Sequence, residues 1–377
     1  MLNNSQNFKM SLLGLVVSLL LTACGSDSST TSKVLGSEAD LAAYQVAKNT
    51  IVPAVNGFQA QAQLLDNQAE LFCSTANTTQ ANLLSLQLQW KETAKAWYQL
   101  LPFKFGPVEG GLDINLVEPV YAYIDYFRFN KGSDLTSSVR TQMKEWVDGP
   151  TPSSITDAFI AGKSASLVGF LPLEVTIFET TDTQSSVITD VLTEFSTASR
   201  KCQLLNALTN QLLVQANIIQ SSWQSNYANT GKSYLDLLVN NELENAEVND
   251  DGKSAISKVT VSVQDYFDYL KNRDVTQSTG QISNSIWQSV DASVESVEQV
   301  LAGTESTTLS LYQIMMNNGN DTDIAVIKQN ITTLKATIAE QNSIDFKAAA
   351  GVLDGNFKRE IPDAIGVSLG LNFSDGD

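Results

Sequence analysis

The stretch VITDVLTEFSTASRKCQLLNALTNQLLVQANIIQSSW, residues 187–223, has the spacing of a long amphipathic helix. Its apolar side chains recur at intervals of three, four or seven residues, and it contains neither proline nor glycine. Because an α-helix completes a turn every ~3.6 residues, this spacing places the apolar side chains on one face. The positions concerned are Val191, Phe195, Ala198, Cys202, Leu205, Leu208, Leu212, Ile219 and Trp223. We therefore predict a long central helix.

A second stretch, NLLSLQLQWKETAKAWYQLL at residues 82–101, has the same helical period. A leucine and two tryptophans stand seven residues apart in it, at Leu83, Trp90 and Trp97. Ala94 and Leu101 fall between or beyond them on the same apolar stripe. This stretch predicts another helix with one buried face.

The distribution of proline agrees with an all-α fold. The chain has no proline between Pro172 and Pro362, which is common in long helices and unusual in a loop-rich β protein. The segment SKVTVSVQDYF, residues 257–267, alternates β-branched residues as a strand would, but no similar segment lies nearby to pair with it. We therefore predict helices over 37–72 (with a kink near Pro53), 134–147, 153–163, 253–272, 281–301, 305–317 and 322–350.

Two segments interrupt the helical pattern. Residues 102–132, PFKFGPVEGGLDINLVEPVYAYIDYFRFNKG, are rich in proline, glycine and aromatic residues and cannot form one regular helix. An irregular segment of this length in a helical protein is typical of a site or a domain junction. A polar break lies near 240–253. We predict two helical-bundle domains, 37–245 and 246–377, with the aromatic segment near their junction.

The N-terminal residues have the layout of a secretory signal. Lys9 stands in a polar start, an apolar run follows from Leu12 to Leu21, and small residues come next. The sequence Leu-Thr-Ala-Cys that ends at Cys24 resembles the bacterial lipobox. We predict that residues 1–23 are a lipoprotein signal peptide, that Cys24 carries lipid, and that residues 24–36 are a flexible tether. The alternative is an ordinary signal peptide with a chance cysteine.

The predicted location and the charge limit the possible partners. Gly25 after the lipidated cysteine favours the outer membrane facing the periplasm, by analogy with well-studied bacterial envelopes. With 41 acidic and 23 basic residues the net charge is −18, which repels nucleic acid. The expected partners are therefore the membrane, through the lipid anchor, and an unknown envelope protein or small ligand, but no nucleic acid.

The cysteine count predicts a disulfide. Once Cys24 is assigned to lipidation, Cys73 and Cys202 remain as an even pair in an oxidising compartment. We expect them to join an early helix to the central one. The alternative is two buried free thiols.

The chain contains no histidine. This excludes Ser-His-Asp and Cys-His nucleophile systems, the H-E-x-x-H zinc site and imidazole-ligated haem. Acid–base chemistry would fall to carboxylates, lysine or tyrosine.

Four segments together resemble the imelysin family of bacterial envelope proteins. They are WKETAKAWYQLLPFKFGPVEGG (90–111), VGFLPLEVTIFE (168–179), ASRKCQLLNALTNQLL (198–213) and IPDAIGVSLGLNFSDGD (361–377). Their order and spacing carry the resemblance from about residue 37 to the end of the chain. The resemblance implies an all-α fold of two helical bundles with a site at their junction, in a family whose members include peptidases and proteins tied to iron uptake.

The family's signature, Gly-x-His-x-x-Glu, falls on this chain with one change. Gly169 and Glu174 match, but Leu171 replaces the histidine. Positions 171 and 174 share one helix face, which suits the family's pair to holding a metal or polar ligand. Leucine offers no lone pair, and a lone carboxylate is a poor site for a transition metal. We therefore predict no catalytic residue and no cofactor; a metal ion is disfavoured and, if present, would be bound by Glu174.

Two interpretations of Glu174 remain open. In the first it is a ligand or hydrogen-bond acceptor in a remodelled pocket, with possible companions at Glu109, Asp113, Arg128 and Glu179. In the second, which we favour, it is a buried structural acid that pairs with a basic group or with backbone amides. A buried carboxylate without a partner would have a raised pKa or destabilise the fold, so a partner is expected.

Three functions compete at this point. The favoured one is a lipid-anchored binding or accessory protein without peptidase activity, connected through the resemblance to iron or haem uptake. The second is a metallopeptidase that uses carboxylates alone, which the missing histidine argues against. The third is a structural envelope protein whose site has filled with apolar side chains, of which Leu171 would be one.

Overall fold

The computed structural model describes residues 37–74, 76–109, 119–126, 135–240, 242 and 254–367, and the regular elements among them are helices without a strand. The α-helices are α1 (Glu38–Val46), α2 (Val52–Cys73), α3 (Gln80–Leu100), α4 (Val120–Asp125), α5 (Leu135–Asp148), α6 (Asp157–Ala161), α7 (Phe170–Phe178), α8 (Ile188–Thr197), α9 (Ser199–Gln224), α10 (Tyr234–Val239), α11 (Ala255–Asn272), α12 (Ile286–Ala302), α13 (Leu311–Asn317), α14 (Asp321–Ala339), α15 (Ser343–Lys358) and α16 (Glu360–Ile365). The predicted all-α fold class is confirmed.

The first layer of the fold consists of α2 packed between α3 and α9. The disulfide Cys73–Cys202 joins the end of α2 to the first turn of α9, with the two Cα atoms 5.5 Å apart. The predicted disulfide is confirmed, and the alternative of two free thiols is wrong. The disulfide ties the early helix to the central one across a sequence separation of 129 residues.

Helix α7 is held against this layer by aromatic contacts. The ring of Trp90 on α3 lies 5.8 Å from that of Phe170 and 5.5 Å from that of Phe178, in edge-to-face arrangements. Phe58 on α2 contacts both Trp97 and Phe170. Such ring pairs contribute roughly 0.5–1.5 kcal/mol beyond area burial. They fix both ends of α7 on the α2–α3 pair.

Helices from later in the chain pack on the same body. Helix α11 lies against α15, α15 against α14, and α12 against α3. The described residues from 37 onwards form one compact unit. The predicted boundary between 245 and 246 lies outside the described residues, and the division at that point stays a prediction.

The predicted kink near Pro53 has a local cause. Between α1 and α2 the helix passes through a π-helical segment, Ala47–Ile51, and Pro53 follows at the second position of α2. Proline has no N–H to donate to the preceding turn, so the hydrogen-bond pattern widens there. The helix over 37–72 is otherwise continuous, as predicted.

Two predicted long helices are each two helices. The stretch 187–223 breaks at Ala198, whose φ and ψ are −107° and 84°, and so forms α8 and α9. The stretch 322–350 breaks before Asn342, whose side chain accepts hydrogen bonds from the amides of Ile344 and Asp345 at the start of α15. In both stretches the apolar pattern continues through the break, so packing and capping, and not the pattern, determine where each helix ends.

Three predicted helix starts are also wrong. The helix predicted from 305 begins at Leu311, where Ser310 and Gln313 form a reciprocal cap. The helix predicted over 153–163 is limited to α6, whose N-terminal cap is Thr156. The helix predicted from 281 begins at Ile286 because the preceding residues form a loop. Among the described residues, none of the helices is both long and apolar enough to cross a membrane.

Candidate functional site

Helix α7 carries the Gly-x-x-x-x-Glu part of the signature and is buried along its whole length. Its residues are almost all apolar, so no face is suited to solvent. Pro172 lies in the first turn, where its missing N–H has no helical partner to lose. A helix buried on all sides must satisfy its polar side chains internally.

Gly169 precedes α7 and permits a close approach to α4. Its φ is +81°, and a Cβ atom there would lie 2.2 Å from the carbonyl oxygen of Ile124 and 2.8 Å from that of Tyr123. No L-residue with a side chain fits this position without moving a backbone segment. Glycine therefore brings the C-terminal end of α4 against the start of α7.

Glu174 has no solvent exposure, and both of its carboxylate oxygens accept backbone hydrogen bonds. The Gly280 N–H donates to Oε2 at 2.9 Å, and the Ser283 N–H donates to Oε1 at 2.8 Å. Both amides belong to residues 278–285, the loop before α12, which we call the cover loop. Glu174 thus joins the signature helix to a loop more than a hundred residues later in the chain.

A second buried acid holds the cover loop from α4. The Thr279 hydroxyl donates to Oδ1 of Asp125 at 2.8 Å, and Asp125 is 1% exposed. Burial raises the pKa of the Glu174 carboxyl to about 7; the two amides oppose this rise, and the negative charge of Asp125 adds to it. Two carboxylates on two helices therefore converge on one uncharged loop.

The C-terminal end of α7 is fixed by ion pairs. The Arg140 guanidinium on α5 donates to both carboxylate oxygens of Glu179 at 2.7 Å. Lys201 on α9 is fully buried, donates to the Glu179 carbonyl oxygen at 2.7 Å and forms an ion pair with Glu194. Burial lowers the pKa of the Lys201 ammonium group, and Glu194 opposes that fall. These contacts anchor α7 from two neighbouring helices.

Replacing Arg140 with alanine should destabilise the protein by about 2–3 kcal/mol, because it leaves the Glu179 carboxylate buried without its bidentate donor. Lys144→Ala is the matched control on the same helix, since Lys144 pairs with Asp148 and Asp182 at the surface. Its free energy of unfolding should equal that of the wild type. Urea unfolding followed by circular dichroism measures both, and equal effects of the two variants would contradict the assigned role of Arg140.

The structure describes two of the four predicted companions of Glu174, Glu109 and Glu179. Leu171 is buried in the apolar core, and Glu109 is exposed at the end of the turn that follows α3. The predicted companion Glu179 is engaged by Arg140 instead. The remaining candidates lie outside the described residues and stay predictions: Asp113, Arg128 and the lipidation site Cys24.

The residues that do meet at Glu174 were missed from the sequence: Asp125, Thr279, Gly280 and Ser283. Asp125 is the one acid in the run VYAYID, residues 120–125, within the aromatic segment 102–132. A lone charge in such a run indicates a buried polar contact. The cover loop reads STGQISNS, and its small polar residues indicated a helix start rather than a partner for a carboxylate.

The donor set at this site does not fit a metal ion. Both oxygens of Glu174 already accept amide hydrogen bonds, and position 171 offers no donor atom. Divalent metals need several oxygen, nitrogen or sulfur ligands directed at one point. In the part of the chain that the structure describes, no three acidic or cysteine side chains are grouped in this way.

The family profile for imelysin, designated a peptidase family, matches residues 51–364. No curated protein sequence matches the chain. The fold is similar to the crystal structure of an imelysin-like protein from Psychrobacter arcticum 273-4, with a TM-score of 0.65, 17% identity and coverage of 89% of this chain and 98% of that one. It is also similar to a putative iron-regulated protein A precursor from Parabacteroides distasonis ATCC 8503, with a TM-score of 0.59, 12% identity and coverage of 89% and 97%.

Proposed function

Because the chain belongs to the imelysin family, we propose that it is a non-catalytic binding or accessory member, anchored by lipid in the bacterial envelope and linked to iron uptake. One observation carries the non-catalytic part. Both carboxylate oxygens of Glu174, the acid of the family signature, accept hydrogen bonds from backbone amides. Leu171 occupies the position at which the signature has histidine. A carboxylate held in this way stabilises the cover loop by hydrogen bonding, and it is not free to act as a base or a ligand.

The absence of histidine from the whole chain supports the same proposal. A metal-bound or imidazole-activated nucleophile needs donors of that type within reach of the signature acid. Asp125, whose negative charge raises the Glu174 pKa, supplies no nitrogen ligand. The arrangement favours a protonated or amide-bound carboxyl over a reactive one.

The envelope location rests on the sequence at Cys24 and on the disulfide. The lipobox-like Leu-Thr-Ala-Cys and the polar residues after it support lipid anchoring, and outer-membrane sorting follows from Gly25 by analogy. The Cys73–Cys202 bond supports an oxidising compartment. The link to iron rests on the fold shared with a protein named as iron-regulated, which is at low sequence identity.

A metallopeptidase remains the competing function, because the family designation names that activity. A structural envelope protein is the other alternative, and the complete burial of α7 together with Leu171 favours it over the peptidase. The two alternatives can be tested with purified protein: a metallopeptidase would cleave a protein substrate, and a structural protein would bind no ligand.

Purified protein should contain no stoichiometric divalent metal and should not hydrolyse unfolded protein substrates, since the signature acid has no free oxygen. The measurement is elemental analysis of protein prepared without chelators, together with hydrolysis of an unfolded protein substrate in the presence of added divalent metals. Glu174→Gln is compared with Glu109→Gln, which removes an exposed acid of the same kind. Stoichiometric metal or hydrolysis that Glu174→Gln abolishes and Glu109→Gln retains would establish the peptidase instead.

The binding role is separated from the structural one by a second measurement. Iron salts and haem are titrated into the wild-type protein, and proteins cross-linked to it in intact envelopes are identified. Saturable binding of haem, or a reproducible envelope partner, is expected. Absence of both would favour the structural alternative.

A further inference from the structure

The outer face of the α2–α3 pair carries exposed leucines. Leu64 and Leu71 on α2 are 46% and 56% exposed, and Leu84 and Leu88 on α3 are 50% and 59% exposed. In the part of the chain that the structure describes, these four are all of the exposed leucines. We propose that this surface, which we call the leucine face, binds a second copy of the chain in a weak symmetric dimer. The inference is independent of the function proposed above.

The leucines of α3 lie beside those of α2 because the two helices run antiparallel. The side-chain N–H of Gln89 donates to Oε1 of Gln61 at 2.7 Å. Nearer the turn between the helices, the Thr78 hydroxyl donates to the Phe72 carbonyl oxygen at 3.0 Å. This register places both leucines of α3 level with residues 61–72 of α2. The four side chains therefore belong to one surface at the turn end of the pair.

Helix α2 has an exposed stripe in addition to the one that it buries. The buried stripe includes Phe58, Ala62, Leu65, Ala69 and Phe72. The exposed stripe consists of Ala60, Leu64, Asn67 and Leu71. Both stripes follow alternating steps of four and three residues, the spacing with which helices pack on one another in coiled coils. A single asparagine in such a stripe limits the registers in which two helices can pair. The exposed stripe of α2 is therefore suited to packing against a further helix.

The leucine face is almost free of charge. Residues 49–90 include two charged side chains, Asp66 and Glu70, although 17% of the whole chain is charged. Asp66 is buried and accepts a hydrogen bond from the Thr209 hydroxyl, so Glu70 is the one charged side chain of this segment at the surface. Depletion of charged side chains is characteristic of the core of protein–protein interfaces. The composition of this surface therefore agrees with a docking role.

The distribution of charge indicates that the partner is a second copy. The chain has a net charge of −18, so two copies repel each other when their acidic surfaces approach. Their leucine faces can meet almost without opposed carboxylates, and they offer no charge that would select a partner of opposite sign. A lipid surface fits less well. Helices that lie on membranes carry lysine or arginine beside their apolar residues, and residues 49–90 contain neither.

The size of the leucine face sets the strength of the dimer. The exposed positions run over residues 60–74 of α2 and 79–92 of α3, which is about 21 Å of each helix. Two helices side by side are about 20 Å wide, so the face covers about 400 Å² in projection. Stable complexes bury roughly 800 Å² on each partner. We therefore expect a dimer that forms and dissociates with protein concentration.

Sedimentation equilibrium of the full mature chain tests the proposal. Every sample carries Cys24→Ala, so that neither lipid nor a disulfide at that residue can join two copies. The average mass should rise from that of one chain towards that of two between about 1 μM and about 200 μM protein. Salt screens the repulsion between the copies, so the dissociation constant should fall several-fold between about 0.05 M and about 0.5 M salt. The mass of one chain under all of these conditions would overturn the proposal.

Two double variants of equal net charge assign the contact to the leucine face. Leu64→Glu/Leu71→Glu places like charges on both sides of the contact, so the dissociation constant should rise at least about tenfold. Ile344→Glu/Val352→Glu is the control on α15, where the two side chains are 79% and 50% exposed. It should dimerise as the parent protein does. Equal dissociation constants for the two double variants would overturn the proposal, and circular dichroism checks that both are folded.

Vesicle binding separates a second copy from a lipid surface. Vesicles of phosphatidylethanolamine and phosphatidylglycerol are sedimented with the same protein and with Leu64→Glu/Leu71→Glu. Neither protein should bind to the vesicles. Binding that the double variant loses, by a protein that sediments as one chain in the absence of vesicles, would overturn the dimer in favour of a lipid surface.

Discussion

Replacing Gly169 with alanine is expected to destabilise the protein by about 3–5 kcal/mol, a large share of the stability of a typical domain. Gly169 adopts φ +81° and ψ −154°, a region that costs other residues roughly 1–3 kcal/mol. The added Cβ atom would also lie 2.2 Å from the Ile124 carbonyl oxygen, so α4 and α7 must separate. Urea unfolding followed by circular dichroism measures the loss.

Two glycine controls separate backbone strain from the steric clash. Gly231 also has a positive φ, +73°, but nothing lies within 4 Å of a Cβ placed there, so Gly231→Ala should cost only about 1–2 kcal/mol. Gly57 lies inside α2 with the same open space, and Gly57→Ala should stabilise the protein by about 0.5–1 kcal/mol. If Gly169→Ala costs no more than Gly231→Ala, the close approach to α4 is not what requires glycine.

Removing the Cys73–Cys202 disulfide with the double variant Cys73→Ala/Cys202→Ala is the second large expected effect. The bond closes a ring across a sequence separation of 129 residues, which restricts the unfolded chain and corresponds to about 4–5 kcal/mol. The free energy of unfolding should fall by that amount at equal pH and salt. The urea midpoint is the measurement.

Reductant provides the control for this second prediction. Wild-type protein unfolded in the presence of a thiol reductant should match the double variant, and the double variant should not respond to the reductant. A wild-type midpoint that is unchanged by reductant under unfolding conditions would contradict a contribution of the disulfide to stability.

The helical fold can be predicted from local patterns in the sequence. The apolar period of α3 and the proline-free chain between Pro172 and Pro362 are sufficient to predict helices, because burial of one apolar stripe is the main force on them. The break at Ala198 could not be predicted in this way. It contains no proline or glycine, and only the backbone angles of Ala198, φ −107° and ψ 84°, show that the helix is interrupted there.

The candidate site was predictable only in part. The position of Glu174 on a helix and its need for a buried partner follow from the sequence, and backbone amides were among the expected partners. Which amides they are depends on a contact between residues 174 and 283, which no local pattern encodes. Asp125 was missed for the same reason, since its partner Thr279 lies on a loop far along the chain.

A protease that cleaves one peptide bond between residues 73 and 202 would leave the molecule in a single covalent piece, because the disulfide spans that interval. The exposed turn at residues 182–184, after α7, is the kind of place where such a nick occurs. The two fragments would migrate together on a non-reducing gel and separate after reduction. The bond between α2 and α9 therefore keeps a chain that has been cut once in this interval in one covalent piece.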